Sequence, residues 1–104
     1  MIETTSDLEL AWAAGFFDGE GSFYSNGQYP RVSIAQRDPI VLERFRAAVQ
    51  VGKVYGPYRE RYIWQYAANG SANVGHIYTV LGPYLSATKK EQFQQVWERN
   101  GRRR

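Results

Sequence analysis

Ala13-Ala14-Gly15-Phe16-Phe17-Asp18-Gly19-Glu20-Gly21 is an apolar, small-residue run that stops at acid-Gly-acid-Gly. Upstream, Ser6 followed three residues later by Glu9 forms a capping box, and Leu8, Leu10, Ala11 and Trp12 continue the apolar run behind it. This pattern predicts a helix that starts at Ser6 and ends near Gly19. Such a helix is apolar almost all round and needs cover on more than one side. A chain of 104 residues offers little interior for it, so a subunit interface is expected. Ala11, Gly15 and Gly19 recur at four-residue intervals, with Trp12 beside them. The glycines either let a second helix approach closely or relieve crowding against the protein's own sheet.

Beyond the motif, residues 22–28 and 31–37 alternate in strand fashion around a turn containing Asn26-Gly27 and Tyr29-Pro30. Val32 and Ile34 then share one face, Arg31 and Ser33 the other. Asp38-Pro39 supplies an N-cap and first-turn proline for a helix with Ile40, Val41, Leu42, Phe45, Ala48 and Val49 inward. A second hairpin is expected at about Lys53–Tyr58 and Tyr62–Ala67, with Tyr62, Trp64 and Tyr66 on one face and Arg61, Ile63 and Gln65 on the other. A third helix runs from about Asn73 to Leu81 and ends at Gly82-Pro83. Thr88 with Glu91 makes a second capping box for a last helix through Phe93, Val96 and Trp97 that stops at Asn100-Gly101. The order αββαββαα is that of a single α+β domain over residues 1–104, with 101–104 as a basic tail.

Composition narrows the chemistry. There is no cysteine and one histidine, His76, so thiolate zinc, disulfides and multi-histidine sites are excluded. Any metal must use oxygen ligands, which suits Mg²⁺, Mn²⁺ or Ca²⁺. No stretch is apolar enough for a membrane span and the N-terminus lacks signal-peptide character, so a soluble, intracellular protein with no membrane partner is expected. The net charge of +3 is unevenly placed: residues 1–20 hold five acids and no base, and the remainder carries 13 Lys/Arg against five acids. That asymmetry reads as a basic surface for a polyanion, or as an ordinary solvated mixed-charge surface.

Glu20 stands where a helix C-terminus already carries partial negative charge, which makes it a natural cation site. An EF-hand reading of Asp18, Glu20 and Ser22 fails, because the sixth position is Phe23 where glycine is required and the twelfth is Tyr29 where a bidentate Glu belongs. Paired helices would bring two Glu20 carboxylates together, the arrangement that metal-assisted phosphodiester hydrolysis uses.

The motif resembles the signature of the LAGLIDADG homing endonucleases. The resemblance extends to Gly52-Lys53-Val54-Tyr55, Tyr62-Ile63-Trp64-Gln65, Pro83-Tyr84-Leu85 and Lys89-Lys90-Glu91-Gln92, in order and near the family's spacing. It implies an αββαββα fold with a four-stranded antiparallel DNA-binding saddle and helices on one face. It further implies a Mg²⁺-dependent endonuclease, often intron-encoded, making double-strand breaks in a long pseudo-palindromic DNA site. With one copy of the signature, the resemblance implies a homodimer joined through Ala11, Trp12, Gly15 and Gly19.

By the same resemblance Glu20 is the metal ligand, with Gly19 beside it and Asp18, which matches the earlier acid and is more often helix-terminating and structural, ranked second; Gln36 and Lys89 complete the catalytic group. The segment after Pro83 is one residue longer than the family pattern, so Lys90 competes with Lys89. The DNA-facing alternation is Ser22, Tyr24, Asn26, Gln28, Arg31, Ser33, Lys53, Tyr55, Arg61, Ile63 and Gln65, types suited to base edges and phosphates. The opposite alternation, Phe23, Val32, Ile34, Val54, Trp64 and Tyr66, forms the core. His76 is expected to decorate the third helix. A non-cleaving DNA- or RNA-binding protein on the same fold is the alternative. An RRM-type sheet is not supported, since Lys53-Val54-Tyr55-Gly56-Pro57-Tyr58 is a poor RNP1 match.

Overall fold

A computed structural model describes residues 4–58 and 62–100. Helix α1 (Asp7–Glu20) is followed by strands β1 (Gly21–Ser25) and β2 (Pro30–Gln36), helix α2 (Pro39–Val49), strands β3 (Lys53–Tyr58) and β4 (Ile63–Asn69), and helix α3 (Ser71–Leu81). A single 3-10 turn at Gly82–Tyr84 leads to helix α4 (Ala87–Asn100). The expected order is present, and the four strands form one antiparallel sheet in the order β1-β2-β4-β3. Arg61 and the basic tail Arg102–Arg104 lie outside the described residues.

Local chemistry explains the boundaries. Ser6 caps α1 by accepting the Glu9 amide at 3.1 Å, and Asp38 caps α2 by accepting the Ile40 amide at 2.9 Å. α1 runs one residue past the expected end, so Glu20 is its last helical residue and Gly21 the cap. β1 is shorter than expected. The Asn26 side chain accepts the amides of Gln28 and Tyr29 and folds the chain into a turn, which removes Asn26 and Gln28 from the strand. Tyr62 also stands outside its strand, at a φ of 52°. α4 is capped by Ser86, not Thr88: the Ser86 hydroxyl accepts the Lys89 amide at 3.2 Å.

The core alternation read from the sequence is the one buried. Phe23, Val32, Ile34 and Tyr66 are almost fully enclosed, with Val54 and Trp64 packed against them. Phe17 joins α1 to this layer, with ring centroids 4.9 Å from Phe23 and 6.0 Å from Phe45, while Phe45 meets Tyr66 at 5.0 Å. Such aromatic pairs contribute about 0.5–1.5 kcal/mol each beyond area burial. Carbonyls at and beyond the end of α2 are satisfied from three directions: Thr5 donates to Ala48 at 2.7 Å, His76 Nε2 lies 2.9 Å from the Val49 oxygen, and the Tyr66 hydroxyl donates to Val51 at 2.7 Å. His76 therefore has a structural hydrogen bond. On the β1 edge, the Gln92 side chain from α4 accepts the outward Phe23 amide at 2.8 Å, closing a group that would otherwise invite another strand.

Candidate active site and nucleic-acid interface

Glu20 ends α1, and Gln36 ends β2. Because Gly21 pairs with Ile34, the end of α1 and the end of β2 emerge side by side. The Gln36 amide nitrogen donates to Glu20 Oε1 at 2.8 Å, across 16 residues of sequence. The carboxylate is exposed, and the last turn of α1 contains no base to offset the negative helix end. Such a position favours a cation. Gly19, also exposed, stands next to it.

Lys89 approaches the same helix from α4. Its ammonium lies 5.7 Å from the Phe17 ring centroid, one turn before Glu20. Asp18 turns elsewhere: both of its carboxylate oxygens lie 3.2 Å from the Ser86 amide. Among the described residues, no three His, Asp or Glu side chains gather at one point. One copy of the fold thus offers one exposed carboxylate, oriented by an amide, with a lysine on the adjoining helix turn.

The face of α1 turned away from the sheet is open. A Cβ added at Gly15 or Gly19 would meet nothing within 4 Å, so these glycines do not relieve crowding against the protein's own sheet. Ala11 is exposed with them, and Leu8 one turn earlier is 86% exposed. Trp12 is half-buried instead. It stacks on Phe16 at 5.4 Å and is covered by the Arg44 guanidinium at 3.7 Å, which Glu9 holds at 2.7 Å.

The sheet face opposite the core carries most of the residues expected there. Cross-strand rows run Ser22–Ser33–Ala67–Lys53 and Tyr24–Arg31–Asn69, and a third joins Ala35, Gln65 and Tyr55. Ile63 opposes Tyr58, so Tyr58 shares this face, as Asn69 does; neither was singled out in the sequence. Arg31 lies over the Tyr24 ring at 5.6 Å. Asn26 and Gln28 sit exposed in the β1–β2 turn, at the end of this face and not along it. Not all the positive charge gathers here, since Arg44 and Arg46 lie on α2, paired with Glu9 and Glu43.

This arrangement of a leading helix, two β-hairpins and helices on one sheet face is found in solved structures. An archaeal intron-encoded homing endonuclease, I-Vdi141I, complexed with DNA, superposes with a TM-score of 0.72 at 22% identity, over 88% of this chain and 66% of that one. The fold is that of the LAGLIDADG homing endonucleases. The homing endonuclease I-TnaI matches with a TM-score of 0.70 at 22% identity, over 89% of this chain and 71% of its own. The LAGLIDADG meganuclease I-AabMI bound to uncleaved DNA gives 0.70 at 22% identity, over 85% of this chain and 34% of its own. The chain therefore spans about two thirds of the first of these proteins and about one third of the last. No family model and no curated protein matches the sequence. Among the described residues no helix is long and apolar enough to cross a membrane.

Proposed function

We propose that this chain is one subunit of a homodimeric, divalent-metal-dependent homing endonuclease that cuts both strands of a long, pseudo-palindromic DNA site. The observation that carries the reading is the Gln36–Glu20 hydrogen bond at the open end of α1. An amide donor fixes the carboxylate's rotamer without adding a competing charge. Exposed hard oxygens at a helix C-terminus with no base in its last turn fit Mg²⁺, with Mn²⁺ or Ca²⁺ as substitutes in binding. Glu20 and the Gly19 carbonyl would hold the ion, which when bound activates water and stabilises the departing oxygen. Lys89 adds positive charge where a scissile phosphate would lie. The second carboxylate comes from a second copy, docked along the open stripe of Leu8, Ala11, Gly15 and Gly19 with Trp12 at its border.

DNA lies along the open sheet face in this reading. Arg31 and Lys53 meet phosphates or guanine edges, while Ser22, Tyr24, Ser33, Tyr55, Ile63 and Gln65 present shorter contacts to bases. Fold relatives solved in complex with DNA support DNA as the partner.

The test is to select a bound duplex from a randomised DNA library and incubate it with Mg²⁺ and either the wild type or Glu20→Gln. Double-strand cuts that vanish in the variant, with binding retained, are the expected result. Specific binding with no cutting in Mg²⁺ or Mn²⁺ would replace this reading by a non-cleaving DNA- or RNA-binding protein on the same fold. Sedimentation that finds only a monomer on the selected duplex would remove the dimer.

A further inference from the structure

Asp18 and Glu20 are two residues apart on α1, and positions i and i+2 of a helix point to nearly opposite sides. Their partners differ accordingly. Glu20 receives Gln36 from β2, while both oxygens of Asp18 face the Ser86 amide at 3.2 Å. Ser86 is the N-cap of α4: its hydroxyl accepts the Lys89 amide and its carbonyl accepts the Lys90 amide at 3.0 Å. The first turn of α4 holds these two lysines and no acid, so two cations sit at the positive end of a helix dipole. Asp18 brings from α1 the negative charge that this turn lacks. The chain of contacts then closes, because the Lys89 ammonium lies over Phe17, the residue before Asp18.

We infer that Asp18 is a positioning residue for Lys89 and not a ligand of the metal. It clamps the α4 N-terminus to the last turn of α1, so that Lys89 reaches the Glu20 end of the site. The inference rests on the endonuclease reading above.

The experiment compares Asp18→Ala, Asp18→Asn, Lys89→Met and the Asp18→Ala/Lys89→Met double variant in single-turnover cleavage of the selected duplex across a Mg²⁺ titration. Amide exchange at Ser86 is followed on the DNA-free protein. A displaced catalytic side chain costs on the order of 10²-fold in rate, which is the loss expected for Asp18→Ala. Asp18→Asn keeps an acceptor for the Ser86 amide and should recover most of that rate. In the Lys89→Met background, Asp18→Ala should cost nothing further. The Mg²⁺ concentration for half-maximal rate should stay at the wild-type value in both Asp18 variants, and Ser86 exchange should accelerate only in Asp18→Ala. A raised Mg²⁺ requirement in Asp18→Asn, or additive losses in the double variant, overturns the inference while the endonuclease reading stands. A wild type that cuts no duplex overturns the endonuclease reading itself, and the role of Lys89 with it.

Discussion

The two faces of α1 are similar in polarity and opposite in fate. Ala13, Ala14 and Phe17 are fully buried against the sheet and α2, whereas Leu8, Ala11, Gly15 and Gly19 face outward with none of the described residues over them. A solvent-facing helix surface is ordinarily polar, yet this stripe contains no charged or hydrogen-bonding side chain. The difference teaches what each face is for. The inner one sends Phe17 into the core, with Ala13 and Ala14 letting the helix lie close against its neighbours. Beyond Leu8, the outer one is stripped to small groups that let a second backbone come close. At its border Arg44, held by Glu9, lies over Trp12 and keeps that ring from being fully exposed.

The largest expected effect belongs to the inner face. Phe17→Ala removes the ring that touches both Phe23 and Phe45 and leaves a cavity between α1 and the sheet, at a cost of about 3–5 kcal/mol. Denaturant unfolding would measure it. A loss under about 1 kcal/mol would mean that α1 contributes little to the core, and the contrast between its faces would fail.

How much of this was legible in the sequence depends on how local the cause is. The capping Ser6, the alternation of Val32 and Ile34 and the proline-led start of α2 are decided within a few residues, and they stand where the sequence places them. The turn at Asn26-Gly27 stands where the sequence places it, but β1 stops earlier than the alternation predicts, because the Asn26 side chain competes with the strand for backbone amides, an interaction that a period-two count does not see. Ser86 and Thr88 both offer a hydroxyl at the start of the same helix, and Ser86 caps it with its own amide held by Asp18, 68 residues away. Gln36 beside Glu20 was available only through the family resemblance, since no spacing rule joins residues 20 and 36. Gln92 on the β1 edge was missed altogether; a glutamine on a half-buried helix face carries no signal that its carbonyl will meet a strand amide.

On the outer face the sign reverses. Gly15→Ala adds a methyl group where nothing lies within 4 Å, and replacing a mid-helix glycine gains about 0.5–1 kcal/mol for the isolated subunit. The same methyl group sits where a second backbone should pass, so self-association should weaken as the subunit stabilises. Thermal unfolding at low concentration and sedimentation across a concentration series would separate the two. A variant that is more stable and associates as tightly as the wild type would show that the stripe is not the docking surface.

The smallest effect tests the border between the faces. The hydrogen bond from Arg44 holds the Glu9 carboxyl below its ordinary range, with their charge attraction adding to it and desolvation opposing it. A carboxyl whose folded pKa is depressed stabilises the fold above its unfolded pKa and loses that contribution as pH falls through the folded one. The pair is exposed, so the change is slight and shrinks with added salt. Wild-type stability should therefore decline more steeply than that of Glu9→Gln as pH drops below the ordinary glutamate range, and the two curves should run parallel above it. Because Arg44 also covers Trp12, the indole fluorescence should shift over the same window in the wild type and stay flat in Glu9→Gln. Parallel curves throughout would mean that the Arg44 lid over Trp12 is held by the ring contact alone.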